Sequence, residues 1–134
     1  MNKLNKQATA IFQRLIAKTE PTGHVKINNA EGTFMPLSVE RIGTASGLMG
    51  VDMSVFSLAH YYEQNGDLMA DPEMTFFVYQ ENIFPASYRQ DGLGIFRESI
   101  IQVDGTWKLS RKLQQDQTAF ANMWLRNIQQ QQDI

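Results

Sequence analysis

The chain of 134 residues contains no cysteine. Disulfide staples, thiolate catalysis and thiolate metal sites are therefore excluded. Small secreted domains commonly depend on such staples, so their absence favours a reducing cytoplasm. No run approaches the roughly 18 apolar residues of a membrane span, and no membrane partner is expected. The opening MNKLNKQATAIFQRLIAKTE has early lysines but only spaced apolar residues, without the continuous apolar region or cleavage site of a signal peptide. A basic excess is also lacking: 12 Lys and Arg stand against 14 Asp and Glu, for a net charge of −2. Proteins that wrap nucleic acid are strongly basic, so nucleic acid is not an expected partner.

Charge of one sign is missing locally as well. Residues 42–88 hold no Lys or Arg, yet contain Asp52, Glu63, Asp67, Asp71, Glu73 and Glu81. Residues 1–41 carry six basic and three acidic side chains, and residues 89–134 carry six and five. The middle of the chain is thus an acidic block between two weakly basic ends. Either the block pairs with those ends inside the fold, or it forms a surface for a protein partner with a basic face. In the second case it would steer and orient association more than add affinity.

With 43% apolar and 19% charged residues, the chain has enough apolar material for one core, read as a single domain over 1–134. Leu4, Ala8, Ile11, Phe12, Leu15 and Ile16 recur at helical spacing and predict an amphipathic helix over about residues 3 to 18. Pro21 and Gly23 end it. Alternating segments follow. Val25 and Ile27 lead into a loop at 28–32, with a return strand over 34–40. Thr44 to Gly47 reads as a small-residue turn. Residues 48–62 form a long strand whose alternation slips near Val55 and Phe56, which predicts a bulge. Residues 74–80, 86–90 and 95–103 complete about six strands. From Ser110 the period is helical again, with Leu113, Gln117, Phe120, Ala121, Trp124 and Ile128 on one stripe and a frayed end at 129–132. Short links favour an antiparallel meander. The expected class is α+β, with both helices on one face of a curled sheet. Met74–Tyr79 is apolar on both faces, so its second face is either buried by curling or left exposed, where a second copy of the chain could cover it.

The stretch HYYEQNGDLMADPEM, residues 60–74, is the most specific polar motif. Asn65-Gly66 is a turn signal, since both residues accept positive φ. Asp71-Pro72 marks a second break. The simplest reading is a connection from Asn65 to Asp71 held by backbone hydrogen bonds to Asp67 or Asp71. Acids at 63, 67, 71 and 73 do not follow the order of a calcium loop, and no metal site is assigned. His60 could act as a base oriented by Glu63 or Asp67, with Tyr61, Tyr62, Tyr88, Arg89 and Asp91 completing a polar cleft. No nucleophile elbow, phosphate loop, HExxH or dinucleotide fingerprint supports catalysis, so no catalytic residue and no cofactor is assigned.

HYYEQNGDLMADPEM, then FPASYRQDGLGIF, then FANMWLRNIQQQ resemble a family of small uncharacterised proteins of gut Bacteroidales, plasmids, conjugative elements and phages. The resemblance covers roughly residues 50 to 130. It implies a bacterial, cytoplasmic accessory protein encoded on a mobile element and acting by contact with other proteins. The expected function is a non-catalytic protein-binding module. The alternative is a small-ligand or enzymatic pocket in a curled sheet around His60.

Overall fold

In the computed structural model, which describes residues 1–134, the first apolar stripe forms helix α1, Lys6–Ala17. Asn5 caps it: its side chain accepts the Ala8 N–H at 2.8 Å, satisfying one of the donors a helix start leaves free. Ala8, Ile11, Phe12 and Leu15 are buried along one face.

Six strands then form an antiparallel meander in sequence order: β1 (His24–Ile27), β2 (Leu37–Leu48), β3 (Val51–Gln64), β4 (Asp67–Tyr79), β5 (Asn82–Gln90) and β6 (Ile95–Glu98). A separate hairpin follows, β7 (Ile100–Val103) with β8 (Thr106–Leu109), and then helix α2, Arg111–Gln132. The class and order match the expectation from the sequence, and several boundaries do not. The return strand starts at Leu37 rather than Phe34, and Phe34 and Met35 are exposed in the loop. Thr44 to Gly47 is not a turn but part of β2. The turn lies at Met49 and Gly50, with φ of 55° and 77°. The slip near Val55 and Phe56 does mark a bulge, but the extra residue is Ile42 on β2, between the pairs Arg41↔Phe56 and Gly43↔Val55.

Residues 95–103 are not one strand. β6 ends at Glu98, and Ser99 turns the chain from the six-stranded sheet into the β7–β8 hairpin. Ser99 is buried and anchored at this corner: its N–H donates to the Ala86 carbonyl at 2.8 Å, and its hydroxyl donates to Oε1 of Gln117 at 2.6 Å. Nε2 of Gln117 in turn donates to the Arg97 carbonyl at 3.0 Å.

The main core lies between the helices and one sheet face. Leu4, Ile11, Phe12 and Leu15 meet Leu37, Val39, Phe56, Leu58, Met74, Phe76 and Ile83, and Trp124, Leu125 and Ile128 of α2 close it. Both helices therefore cover the same face, as the two apolar stripes predict. A second, smaller core lies on the other face beneath β7–β8, where Phe77, Met53, Ala45 and Ala86 meet Ile100 and Trp107. Trp107 packs under this hairpin rather than between helix and sheet. Its ring stands edge-on to Phe77 at 5.8 Å, and its Nε1 donates to the Ser46 carbonyl at 2.9 Å. The two apolar faces of Met74–Tyr79 are thus covered by the chain's own helices and its own hairpin.

Glutamines of α2 fasten distant segments. Gln114 accepts the Asn2 N–H at 2.8 Å and donates to the Asn2 and Pro85 carbonyls at 2.6 and 3.2 Å. The expected fraying at 129–132 is absent. Gln132 is fully buried; it accepts the Asn29 N–H at 2.8 Å and donates to the Met35 carbonyl at 3.1 Å.

Candidate functional site

β3 and β4 outrun their neighbours. The last β2–β3 pair is Leu37↔His60, and the last β4–β5 pair is Glu73↔Arg89. Between them, residues 61–64 of β3 and 67–70 of β4 pair only with each other. The sequence motif is therefore a two-stranded arm projecting from the end of the sheet. Asn65 and Gly66, with φ of 54° and 85°, form its two-residue tip, and both φ signs are those a tight right-twisted hairpin requires. The positive φ expected here is present, but the connection is shorter than expected: Asp67 already opens β4. A register shift between Ala59 and Tyr61, with the excess residues at Asp71 and Pro72 of β4, absorbs the break expected from that dipeptide.

The two flanks of the arm differ. On the β4 side, Asp91 of the short 3₁₀ turn Asp91–Leu93 accepts the Ala70 N–H through Oδ2 at 2.8 Å. Pro72 has no N–H to offer. Oδ1 of Asp71 accepts from the Gln90 side chain at 3.1 Å, so Asp71 bonds an amide side chain rather than the backbone expected for it. On the β3 side, β2 stops because of Pro36, which lacks a donor and whose carbonyl accepts from Nδ1 of His60 at 3.0 Å. A notch of about 250 Å³ remains there, lined by Lys26, Pro36, Ser38, Tyr61, Tyr62, Glu63 and Leu68.

The side chains singled out in the sequence divide into three groups. Tyr62, Glu63, Asn65, Asp67 and Asp71 are on the arm, with Glu63, Asn65 and Asp67 exposed. Glu73, Arg89 and Asp91 belong to a network at the base of the arm, on the face opposite the helices. Oε2 of Glu73 accepts from the Ser57 hydroxyl at 2.8 Å and the Tyr61 hydroxyl at 3.1 Å. Nε of Arg89 pairs with Oδ1 of Asp91 at 2.6 Å, and the guanidinium lies over Phe96 at 6.0 Å from the ring centre. His60 and Tyr88 point the other way, under α2. His60 is buried and edge-on to Trp124 at 5.6 Å, and Tyr88 is edge-on to Phe120 at 5.2 Å. His60 is hydrogen-bonded to neither Glu63 nor Asp67, and Arg89 lies on the opposite sheet face from His60 and Tyr88. Alternation separates His60 from Glu63: residues 58 and 60 share the helix side of β3, and 57, 59, 61 and 63 the other.

The network shifts its own titrations. Burial first, and then the neighbouring Glu73 carboxylate, pushes the Tyr61 phenol up to about 12. The hydrogen bond from Arg89, then that from the Ala70 N–H, and last the Arg89 charge hold the Asp91 carboxyl below its ordinary value, and Asp91 raises Arg89 in return. Burial, then Asp71, raises Tyr88. The sequence places Tyr61 in the polar cleft but gives no role to Ser57, although the alternation of Ser57, Ala59 and Tyr61 against Leu58 and His60 puts the two on one face.

The ion pairs of the fold are Arg89–Asp91 and Lys112–Asp116. None of the six carboxylates in residues 42–88 forms an ion pair with a Lys or Arg, although Glu73 stands across the β4–β5 ladder from Arg89. The acidic block also divides in space. Asp52 and Glu81 stand at the end of the sheet that holds the Met49–Gly50 turn, and Glu63, Asp67 and Asp71 on the arm. No three His, Asp or Glu side chains converge as metal ligands would. No helix is long and apolar enough to cross a membrane.

No curated protein and no solved structure matches the chain significantly. Residues 6–134 match the protein family described as a domain of unknown function, DUF6908. That span takes in both helices and all eight strands, arm included, and the chain belongs to this family.

Proposed function

We propose that the protein is a non-catalytic accessory module that binds another protein through its β3–β4 arm, and that the partner presents a basic surface there. The observation that carries this reading is the arm itself: two exposed carboxylates, Glu63 and Asp67, with no basic side chain and no ion pair, on a hairpin that extends past its neighbouring strands. Unneutralised like charges in one projecting element raise the encounter rate with an opposite surface and set its orientation. Exposed Leu68, opposite Glu63 in the hairpin, adds an apolar contact. The motif resemblance supports a setting in the bacterial cytoplasm, on plasmids, conjugative elements or phages. A pocket around His60 has less support, because its ring is buried against Trp124 and bonded to Pro36.

The test is affinity capture from a bacterial host with the wild type and with Glu63→Lys combined with Asp67→Lys. Glu73 is left intact because it holds Ser57 and Tyr61. Both changed side chains are exposed, so stability should move by no more than about 0.5 kcal/mol. A specific partner should be lost from the charge-reversed protein. If both proteins capture the same partners equally well, the arm is not the docking element.

A further inference from the structure

The arm leaves one of its two strand edges open, and the open edge identifies how a partner is held. We propose that the β3 edge at Tyr61–Gln64 takes up an extended, basic segment of the partner by strand addition, a mode of binding that rests on the docking role proposed above. β3 continues for four residues beyond its last β2 partner, His60, so the outward N–H and C=O groups of this stretch meet no strand. What would have continued β2 is blocked: Pro36 has no N–H, and its carbonyl is already bonded to His60. The result is the notch beside Tyr61, Tyr62 and Glu63 rather than a further ladder.

Several other edges are engaged or broken. The β4 edge of the arm has Pro72, and its Ala70 N–H is bonded to Asp91. On the outer strands the Arg97 carbonyl of β6 accepts from Gln117, and β2 beyond its β1 partners is broken by the irregularities at Arg41/Gly43 and Ala45/Leu48, with its Ser46 carbonyl bonded to Trp107. An edge left open where its neighbours are closed suits recognition by main-chain pairing, with side-chain positions supplying selectivity.

Charge names the occupant. Two arms pairing edge to edge would bring two copies of Glu63 and Asp67 together, and like charges facing each other across strands are destabilising. A segment with Lys or Arg opposite Glu63 reverses that sign. Tyr61 lies on the same side as Glu63, two residues away, so the position opposite it takes an apolar side chain.

The probe is a short end-blocked peptide of repeating Lys-Thr-Val-Thr, with a second version N-methylated on alternate amides to remove one edge of donors. Backbone NMR of the intact protein reads binding and amide exchange. The plain peptide should slow exchange at amides within 61–64, and N-methylation should weaken it about tenfold or more, the loss of two or so main-chain bonds. Equal binding of the methylated peptide, still abolished by Glu63→Lys with Asp67→Lys, would overturn strand addition and leave electrostatic docking standing. Protection on β1, β6 or the β4 side, or no binding of the plain peptide at millimolar concentration, would also overturn it. The capture experiment decides the docking role independently.

Discussion

Gln117 sits on the apolar stripe of α2, is 4% exposed, and holds the corner where the chain leaves the main sheet. Gln117→Leu keeps the volume and removes both side-chain bonds. The Ser99 hydroxyl keeps an acceptor, since the Ala86 carbonyl lies 3.2 Å away, so Ser99 is not orphaned. The Arg97 carbonyl loses its donor. It is partly buried, and water can reach it, which keeps the cost below that of a fully buried orphan. One lost bond and one partly hydrated carbonyl amount to about 1–3 kcal/mol. With a urea m-value of about 2 kcal/mol/M, the unfolding midpoint should fall by roughly 0.5–1.5 M. Ser99→Ala, measured alone and together with Gln117→Leu, should show a coupling of about 1 kcal/mol, because the two side chains share a bond. A midpoint unchanged by Gln117→Leu, or strict additivity of the two changes, would refute the view that this pair fixes the corner.

Trp124→Ala should cost about 3–5 kcal/mol in urea or thermal unfolding, because the indole is buried between His60 and Phe120 at the closure of the main core. For Tyr61 the sign follows from a folded pKa of about 12 against an ordinary value near 10. The fold favours the neutral phenol, so its contribution is complete below about pH 10 and is lost as pH rises through about 12. Tyr61→Phe should flatten stability across that window and remove a tyrosinate absorbance step near pH 12, while an unchanged alkaline profile would show that Glu73 and burial do not act on this phenol.

Hydrophobic spacing located α1, α2 and the long strands because those elements are decided by which residues face a core. It could not find the break at Ser99, since Ile95, Ile100, Ile101 and Val103 continue a strand-like pattern across it, and the corner is made by hydrogen bonds from α2. Nor could it see that the C-terminal glutamines are ordered, because Gln132 is buried by polar contacts. The small residues at 44–47 resemble a turn, yet they belong to a bulged strand whose turn comes at Met49–Gly50. For the site, the motif was legible as one unit because Asn65-Gly66 dictates a tip. The sharing of its neighbours between two sheet faces depends on register and on the shift at Asp71–Pro72, which no single segment reveals.

The division of labour between sheet and helix has a consequence for the order of assembly. Every strand of the six-stranded sheet pairs with its neighbour in sequence, and two-residue turns join β3 to β4 and β4 to β5. Such pairings close short loops and can zip in microseconds. The glutamine contacts of α2 instead join residues 112, 103 and 97 positions apart. The chain therefore settles its strand register by local encounters and meets its largest search at the docking of one helix. Until that helix arrives, the core-facing side of the meander is open to water and to other chains, which makes the docking step the interval in which this protein is most exposed to aggregation.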